Sequence, residues 1–383
     1  MLPSLADLEY NRNHTCHGFE AVGRNAIRRN FFQGLRAREH VTRSAAIQTN
    51  SISIETVTGR IQPRRRIEGI SAVLLPFNAA GEPDYDALAT HIARTSDAGL
   101  TPAVNMDTGY VNLLTPGQRA QVLQVARQVL TGTPDDRRGA GRFVAGAYIE
   151  NQASDGQEPL VARYRREIEA IEAAGGTPIL FQCSDLRSLS GPEVAALYRQ
   201  VATGSQRLLA FELGQQFAPF GRIYDLDTVR GMMEIETIVG LKHSSLDRRL
   251  EWQRLALRDQ IRPDFRIYTG NDLAIDMVTY GSDYLLGLST FSPQAFALRD
   301  RLWARGDARF YQLNDLLQYL GFFAFRPPTP AYKHSAAQFL HLMDHIPEDT
   351  PPPGAPRRPE SDRAVLADVA ARIQEWLDGK GKI

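Results

Sequence analysis

Apolar residues along this chain fall into short, β-branched runs and longer stretches of helical spacing, and the two kinds alternate. Segment 70–77 is apolar apart from Ser71, the pattern of a strand buried on both faces. Segment 84–98 sets Tyr85, Leu88, Ala89 and Ile92 on one side of a helix and stops at Gly99, as a C-terminal glycine does. The alternation then repeats. Strands are expected at 101–106, 142–149, 177–182, 207–213, 236–242, 265–269 and 283–288, with helices at 116–130, 159–174, 191–203, 226–234, 246–260, 271–280 and 293–304. Strict alternation implies a parallel sheet with helical crossovers. Eight such units in roughly 235 residues have the dimensions of a (β/α)8 barrel. An open doubly wound sheet competes, but segment 76–81 is not the Gly-rich phosphate loop such a sheet carries after its first strand.

The flanks read differently. Residues 1–66 hold eleven Arg, no Lys and five acidic residues with poor apolar periodicity. They read as a loosely ordered or docked N-terminal extension, although an Arg-rich, acid-poor start also resembles a transit peptide. Within them 51–57 alternates like a short strand, paired with the 60–66 stretch. His14, Cys16 and His17 are close together, but no second ligand pair follows at zinc spacing. Beyond 306 the pattern is helical, at 308–325, 333–345 and, after a Pro-rich linker, 360–377. The expected fold is thus an α/β (β/α)8 TIM barrel at 67–306, with an N-terminal extension at 1–66 and a C-terminal helical region at 307–383.

Charge and cysteine content add exclusions. Net charge is zero over 383 residues, so nothing overall points to nucleic acid or a membrane surface. The Arg64–Arg66 cluster has no interleaved aromatics and reads as solvated or ion-paired. Two cysteines make no disulfide framework and suit a reducing compartment. With no long apolar run and no signal-peptide core, the expectation is a cytoplasmic protein. Trp252, Trp303 and Trp376 lie on expected helices as packing residues, and Cys183 is expected to be buried.

One residue changes the picture. Of 44 basic residues only four are Lys: Lys242, Lys333, Lys380 and Lys382. The last two lie in a polar tail, and Lys333 is expected on a surface helix. Lys242 ends the apolar run 236–241. Arg cannot lose its proton; a desolvated Lys can, and then attacks carbonyl groups. A strand-end Lys that snorkels to solvent is the plain alternative. In parallel barrels chemistry sits at the C-terminal ends of the strands. Those ends carry Phe77, Asp107-Thr108-Gly109, Glu150, Gln182, Glu212, Lys242-His243-Ser244, Asn271-Asp272 and Ser289. One amine facing several carboxylates and small polar groups is the constellation of a Schiff-base enzyme, whose iminium acts as an electron sink.

The same residues carry a family resemblance. Leu75-Pro76-Phe77-Asn78 with Gly81-Glu82-Pro83-Asp84 resembles the opening of the dihydrodipicolinate synthase / N-acetylneuraminate lyase family. Met106-Asp107-Thr108-Gly109-Tyr110 stands where that family has Gly-Thr-Thr-Gly-Glu, followed by Leu114-Thr115. Gly240-Leu241-Lys242-His243-Ser244 resembles the segment with the Schiff-base lysine, and Gly270-Asn271-Asp272 and Gly287-Leu288-Ser289 resemble the last two strands. The resemblance spans about residues 69–378. It implies a barrel assembled as a homo-oligomer, no cofactor, and a 2-oxo acid substrate with its carboxylate near Thr108 and Gly109.

The departures matter. The family's fifth strand brings a relay tyrosine; here Phe211-Glu212 stands instead, and the tyrosine pair after the fourth strand is replaced by Cys183-Ser184. Glu212, one residue from the lost tyrosine, is the first candidate to move the proton, ahead of Glu150, Tyr110 and Tyr148. Asp107 in place of a threonine favours a hydroxylated or sugar-derived carbonyl over plain pyruvate. The leading expectation is a Schiff-base aldolase, lyase or related dehydratase. Its catalytic residues would be Lys242, Glu212 and Thr108, with Asp107, Gly109, Tyr110, Glu150, Ser244, Asn271 and Ser289 binding a small carbonyl substrate. The competing expectations are a divalent-metal isomerase or aldolase using Glu150, Glu212 and His243, and a non-catalytic binding protein on the same barrel.

Overall fold

The computed structural model describes residues 52–131, 142–149 and 158–380. Eight strands close into one parallel barrel in sequence order: β1 Gly69–Ala72, β2 Thr101–Val104, β3 Val144–Ala147, β4 Thr177–Leu180, β5 Leu208–Leu213, β6 Ile238–Ser244, β7 Arg266–Thr269 and β8 Asp283–Leu286. β1 pairs with β8 to complete the ring. The described helices are α1 Ile54–Thr58, α2 Tyr85–Asp97, α3 Pro116–Leu130, α4 Leu160–Ala173, α5 Ser184–Ser188, α6 Gly191–Val201, α7 Leu226–Met233, α8 Arg248–Ile261, α9 Pro293–Arg305, α10 Arg309–Ala324, α11 Tyr332–Leu342 and α12 Asp362–Leu377. The strict alternation of the sequence therefore folds as expected, with the crossover after β7 reduced to a 3-10 turn, Ile275–Tyr280. That segment was expected to be helical from 271; Asn271 and Asp272 instead remain at the strand end, inside the barrel mouth.

Local chemistry sets the boundaries. Asp84 caps α2 by accepting the Ala87 N–H at 2.9 Å. Thr115 and Gln118 form a reciprocal capping box at the start of α3. Between β2 and β3 the backbones come so close that a Cβ on Gly146 would lie 2.1 Å from the Asn105 carbonyl oxygen, so only glycine fits there.

Of the expected strand 51–57, the described residues 52–57 form none. From Ile54 the chain is the short helix α1, capped by Ser53 Oγ, which accepts the Thr56 N–H. A serine cap with Glu55 in the first turn outweighs a seven-residue alternation that finds no strand to pair with. Arg65 anchors the chain after it under the barrel, ion-paired to Asp283 at 2.6 Å. The His14–His17 cluster lies outside the described residues. No helix among the described residues is long and apolar enough to cross a membrane.

Candidate active site

Register decides which strand-end side chains meet. Phe211 of β5 pairs with Lys242 of β6, and Glu212 pairs with His243. Side chains alternate across a strand, so the first pair and the second point to opposite faces. Lys242 goes inward. Its Nζ sits 4.6 Å from the Phe211 ring centroid, and the residue is 6% exposed. Ser244, two residues on, shares its face: a Cβ on Gly270 would come within 2.0 Å of Ser244 Oγ and 3.0 Å of Lys242 Cε. Gly270 thus makes room for both.

Burial pushes the Lys242 amine down to about 8, while Asp272 and Asp107 pull the other way. Asp272 is its complement. Burial pushes that carboxyl up to about 7, against the hydrogen bonds it accepts and the nearby amine. It accepts the Leu288 N–H at 2.7 Å. Burial thus moves the amine and the carboxyl toward neutrality from opposite sides.

The other side of the mouth is built by α11. Its first two residues, Tyr332 and Lys333, reach β2's terminal turn. The Lys333 ammonium donates to Asp107 Oδ1 at 3.0 Å and lies 5.0 Å from the Tyr110 ring centroid. Tyr332 donates its hydroxyl to Asp107 Oδ2 at 2.9 Å and meets Thr108 Oγ1 at 2.8 Å. Lys333 is therefore not a surface lysine; it is 5% exposed because Asp107 draws it into the mouth. The scarcity of Lys that singled out Lys242 applied equally to Lys333. For Tyr332 the sequence held no comparable signal.

Several expected site residues are otherwise engaged. Glu212 does not face Lys242. On the helix-facing side of β5 it accepts two bonds from Arg254 of α8, at 2.9 and 2.8 Å. It also accepts the His243 Nδ1–H at 3.0 Å and the Tyr224 N–H at 2.7 Å. Burial works against its charge, yet Arg254 and His243 hold it down at about 2. Contrary to expectation, then, Glu212 does not point toward the Lys242 amine, and its oxygens are spent on the helix side of the sheet. The register also turns Glu212 and His243 away from any metal held in the mouth. Gly109 spends its N–H on the Met106 carbonyl at 3.0 Å, inside the 3-10 turn Asp107–Gly109, and does not offer it to an anion. Tyr110 is buried edge-on against Phe77, with ring centroids 5.6 Å apart. Ser289 bonds Ser71 and the Leu286 carbonyl, both at 2.9 Å. The Asn271 side-chain oxygen accepts the Leu273 N–H at 3.1 Å. Glu150 lies outside the described residues.

On the wall beyond Phe211 the rings continue. Phe181 meets Phe211 at 5.2 Å and Tyr148 at 5.7 Å, and Phe220 meets both Phe181 and Tyr148. The mouth therefore has an aromatic side on β3–β5 and a charged side on β2, β7 and α11.

These features define a class: a closed (β/α)8 barrel with a desolvated lysine at the end of its sixth strand. Residues 73–348 match the family described as "Protein of unknown function (DUF993)", and the chain belongs to that family. By sequence no curated protein matches it. The fold is that of the dihydrodipicolinate synthase structures, as the motifs led one to expect. One similar structure is a putative dihydrodipicolinate synthetase from Pseudomonas aeruginosa, 18% identical, TM-score 0.66, covering 80% of this chain and 99% of that one. Another is a prophage protein of the dihydrodipicolinic acid synthase family from E. coli K12, in complex with pyruvate. It is 15% identical, with TM-score 0.67 and coverage of 80% and 98%. A third is KD(P)GA from T. tenax, 16% identical, TM-score 0.62, covering 81% of this chain and all of that one, 100%.

Proposed function

We propose that this protein is a Schiff-base-forming aldolase or lyase, with Lys242 as the nucleophile. The observation that carries the reading is the buried amine at the β6 end, lowered to about 8 and facing an aromatic ring. At that affinity a useful fraction of the amine is neutral at physiological pH.

The neutral amine adds to a carbonyl carbon. The carbonyl oxygen takes up protons and leaves as water, giving a C=N⁺ bond to Lys242. Asp272, raised to about 7, is able to give a proton and take it back. The Phe211 face steadies the positive iminium. Cleavage of the adjacent C–C bond then sends its electron pair into the iminium, leaving an enamine that hydrolysis frees. The reverse sequence makes the bond.

The substrate class is a hydroxylated carbonyl compound. Lys333 is already paired with Asp107, and the Gly109 N–H is bound to backbone, so the expected carboxylate subsite is filled from within. Carboxylates at the mouth favour hydroxyl groups and disfavour a second anion. A homo-oligomer working without a cofactor remains part of the reading.

Borohydride trapping is the test. The chain is incubated with pyruvate, hydroxypyruvate, glycolaldehyde or acetone, reduced, and read by intact mass and peptide mapping. The expected result is a stable adduct on Lys242, strongest with the hydroxylated compounds and absent in Lys242→Ala. Failure of every compound to label Lys242 rejects the reading.

A further inference from the structure

The mouth lacks a hydroxyl on β5, where Phe211 stands beside the reactive amine, yet it contains a hydrogen-bonded line of groups that the lysine chemistry alone does not use. Thr108 Oγ1 meets the Tyr332 hydroxyl at 2.8 Å. That hydroxyl donates to Asp107 Oδ2 at 2.9 Å. The other Asp107 oxygen holds the Lys333 ammonium at 3.0 Å.

From this geometry we infer that Thr108, Tyr332 and Asp107 form the proton relay of the lysine's reaction, with Tyr332 supplied from the C-terminal helical region. The inference rests on the Schiff-base reading above.

Three observations support it. First, the direction of the line is fixed. Asp107 can only accept from Tyr332, and Tyr332 is then free to accept from Thr108, whose own oxygen stays open to a substrate hydroxyl. Second, Tyr332 is held for this position. Its ring stacks on Phe325 at 4.2 Å with planes 15° apart, and a Cβ on Gly287 would meet its ring edge and hydroxyl at 3.1 and 3.2 Å. Gly287 also sits against Asp272, whose carboxylate takes its N–H. The line therefore abuts the groups that surround Lys242. Third, burial and Asp107 push the tyrosine well above its usual range, so the hydroxyl stays protonated and can pass a proton without holding a charge.

The transfer balances. In cleavage, the substrate hydroxyl gives its proton to Thr108 Oγ as the C–C bond breaks. Thr108 passes its own proton to Tyr332, and Tyr332 passes its own to Asp107. The carboxylate becomes a neutral acid beside Lys333, and the bond's electron pair rests in the enamine. Addition runs the same steps backward and returns the proton, and with no second carbonyl present the same line takes the α-proton of the bound compound as its iminium becomes the enamine and gives it back.

Tyr332→Phe removes one oxygen and keeps the stacked ring; Asp107→Asn keeps an acceptor for Tyr332 but cannot store the proton. Each variant is checked by circular dichroism for a retained fold, and all readings are taken well below its melting temperature. Each is then given the trapped carbonyl compound in D2O and read twice, by borohydride adduct on Lys242 and by α-proton exchange in NMR. The expected result for both is normal adduct with exchange slowed about 100-fold, the usual scale for losing a positioned proton carrier. Normal adduct with normal exchange in either variant overturns the relay alone. Joint loss of adduct and exchange assigns these residues to the shape of the pocket and also overturns it. No adduct in the unaltered chain rejects the Schiff-base reading and the relay together.

Discussion

The two faces of the β5–β6 strand pair make an instructive contrast. They share a backbone, a register and a depth of burial, and each buries ionisable groups. On the helix side, Glu212 is met by Arg254, His243 and a backbone N–H, and it stays charged at a pKa of about 2. On the barrel side, Lys242 faces an aromatic ring and a carboxyl that burial has raised to about 7. A fully compensated charge is inert and fixes the fold. A charge left short of partners hovers near neutrality and can exchange protons. The two faces differ in how fully their two sets of neighbours compensate the charges along the same two strands.

The contrast can be broken from the structural face. Arg254→Leu leaves the Glu212 charge buried with its main partner gone, and should cost about 3–5 kcal/mol, read as a lower urea midpoint at unchanged slope. A variant as stable as the parent would mean that the helix-side cluster is not what holds this strand pair.

The barrel side should respond in the opposite sense. Lys242→Met together with Asp272→Asn replaces two buried, under-satisfied ionisable groups by neutral groups of similar size. Stability should hold or rise by about 1–4 kcal/mol, while borohydride labelling disappears. A clear loss of stability would show that the pair also serves the fold.

Asp272→Asn alone tests the coupling. Adduct formation requires a neutral amine, so its rate should climb with pH through about 8 in the parent. The Asp272 carboxylate raises the Lys242 pKa; removing its charge lowers it. The rising limb should move to lower pH by about one unit, and a limb that stays in place would disconnect the two residues.

The smallest effect belongs to Ser245→Ala. It removes the hydroxyl 2.6 Å from His243 Nε2, at the rim of the structural cluster. The expected cost is about 1 kcal/mol, with Lys242 labelling unchanged. A loss of labelling would show that the two faces are not independent.

Much of this architecture was legible in the chain. Periodicity alternates between runs and helical spacing because a central parallel strand is buried on both faces and its crossover helix on one. The lone Lys at the end of 236–241 stood out for a similarly local reason, since Arg serves nearly every other basic position. Local pattern failed where a choice between faces was needed. Glu212 lies one residue from Phe211 in sequence, and that single step turns it to the opposite side of the sheet. Segment 51–57 failed because an alternating run makes a strand only if a neighbour is there to bond it.

By itself, then, the sequence determined the eightfold order of elements and singled out one lysine at the end of a buried strand, because both follow from burial along a periodic backbone. Tertiary structure alone decided the company that amine keeps. Tyr332 and Lys333 lie more than two hundred positions from Asp107 and Thr108, and only the packing of the C-terminal helices over the barrel mouth brings them within hydrogen-bond distance. Hydrogen bonds act over about 3 Å in space, and a distance that short between residues so far apart in the chain is set by the closed fold.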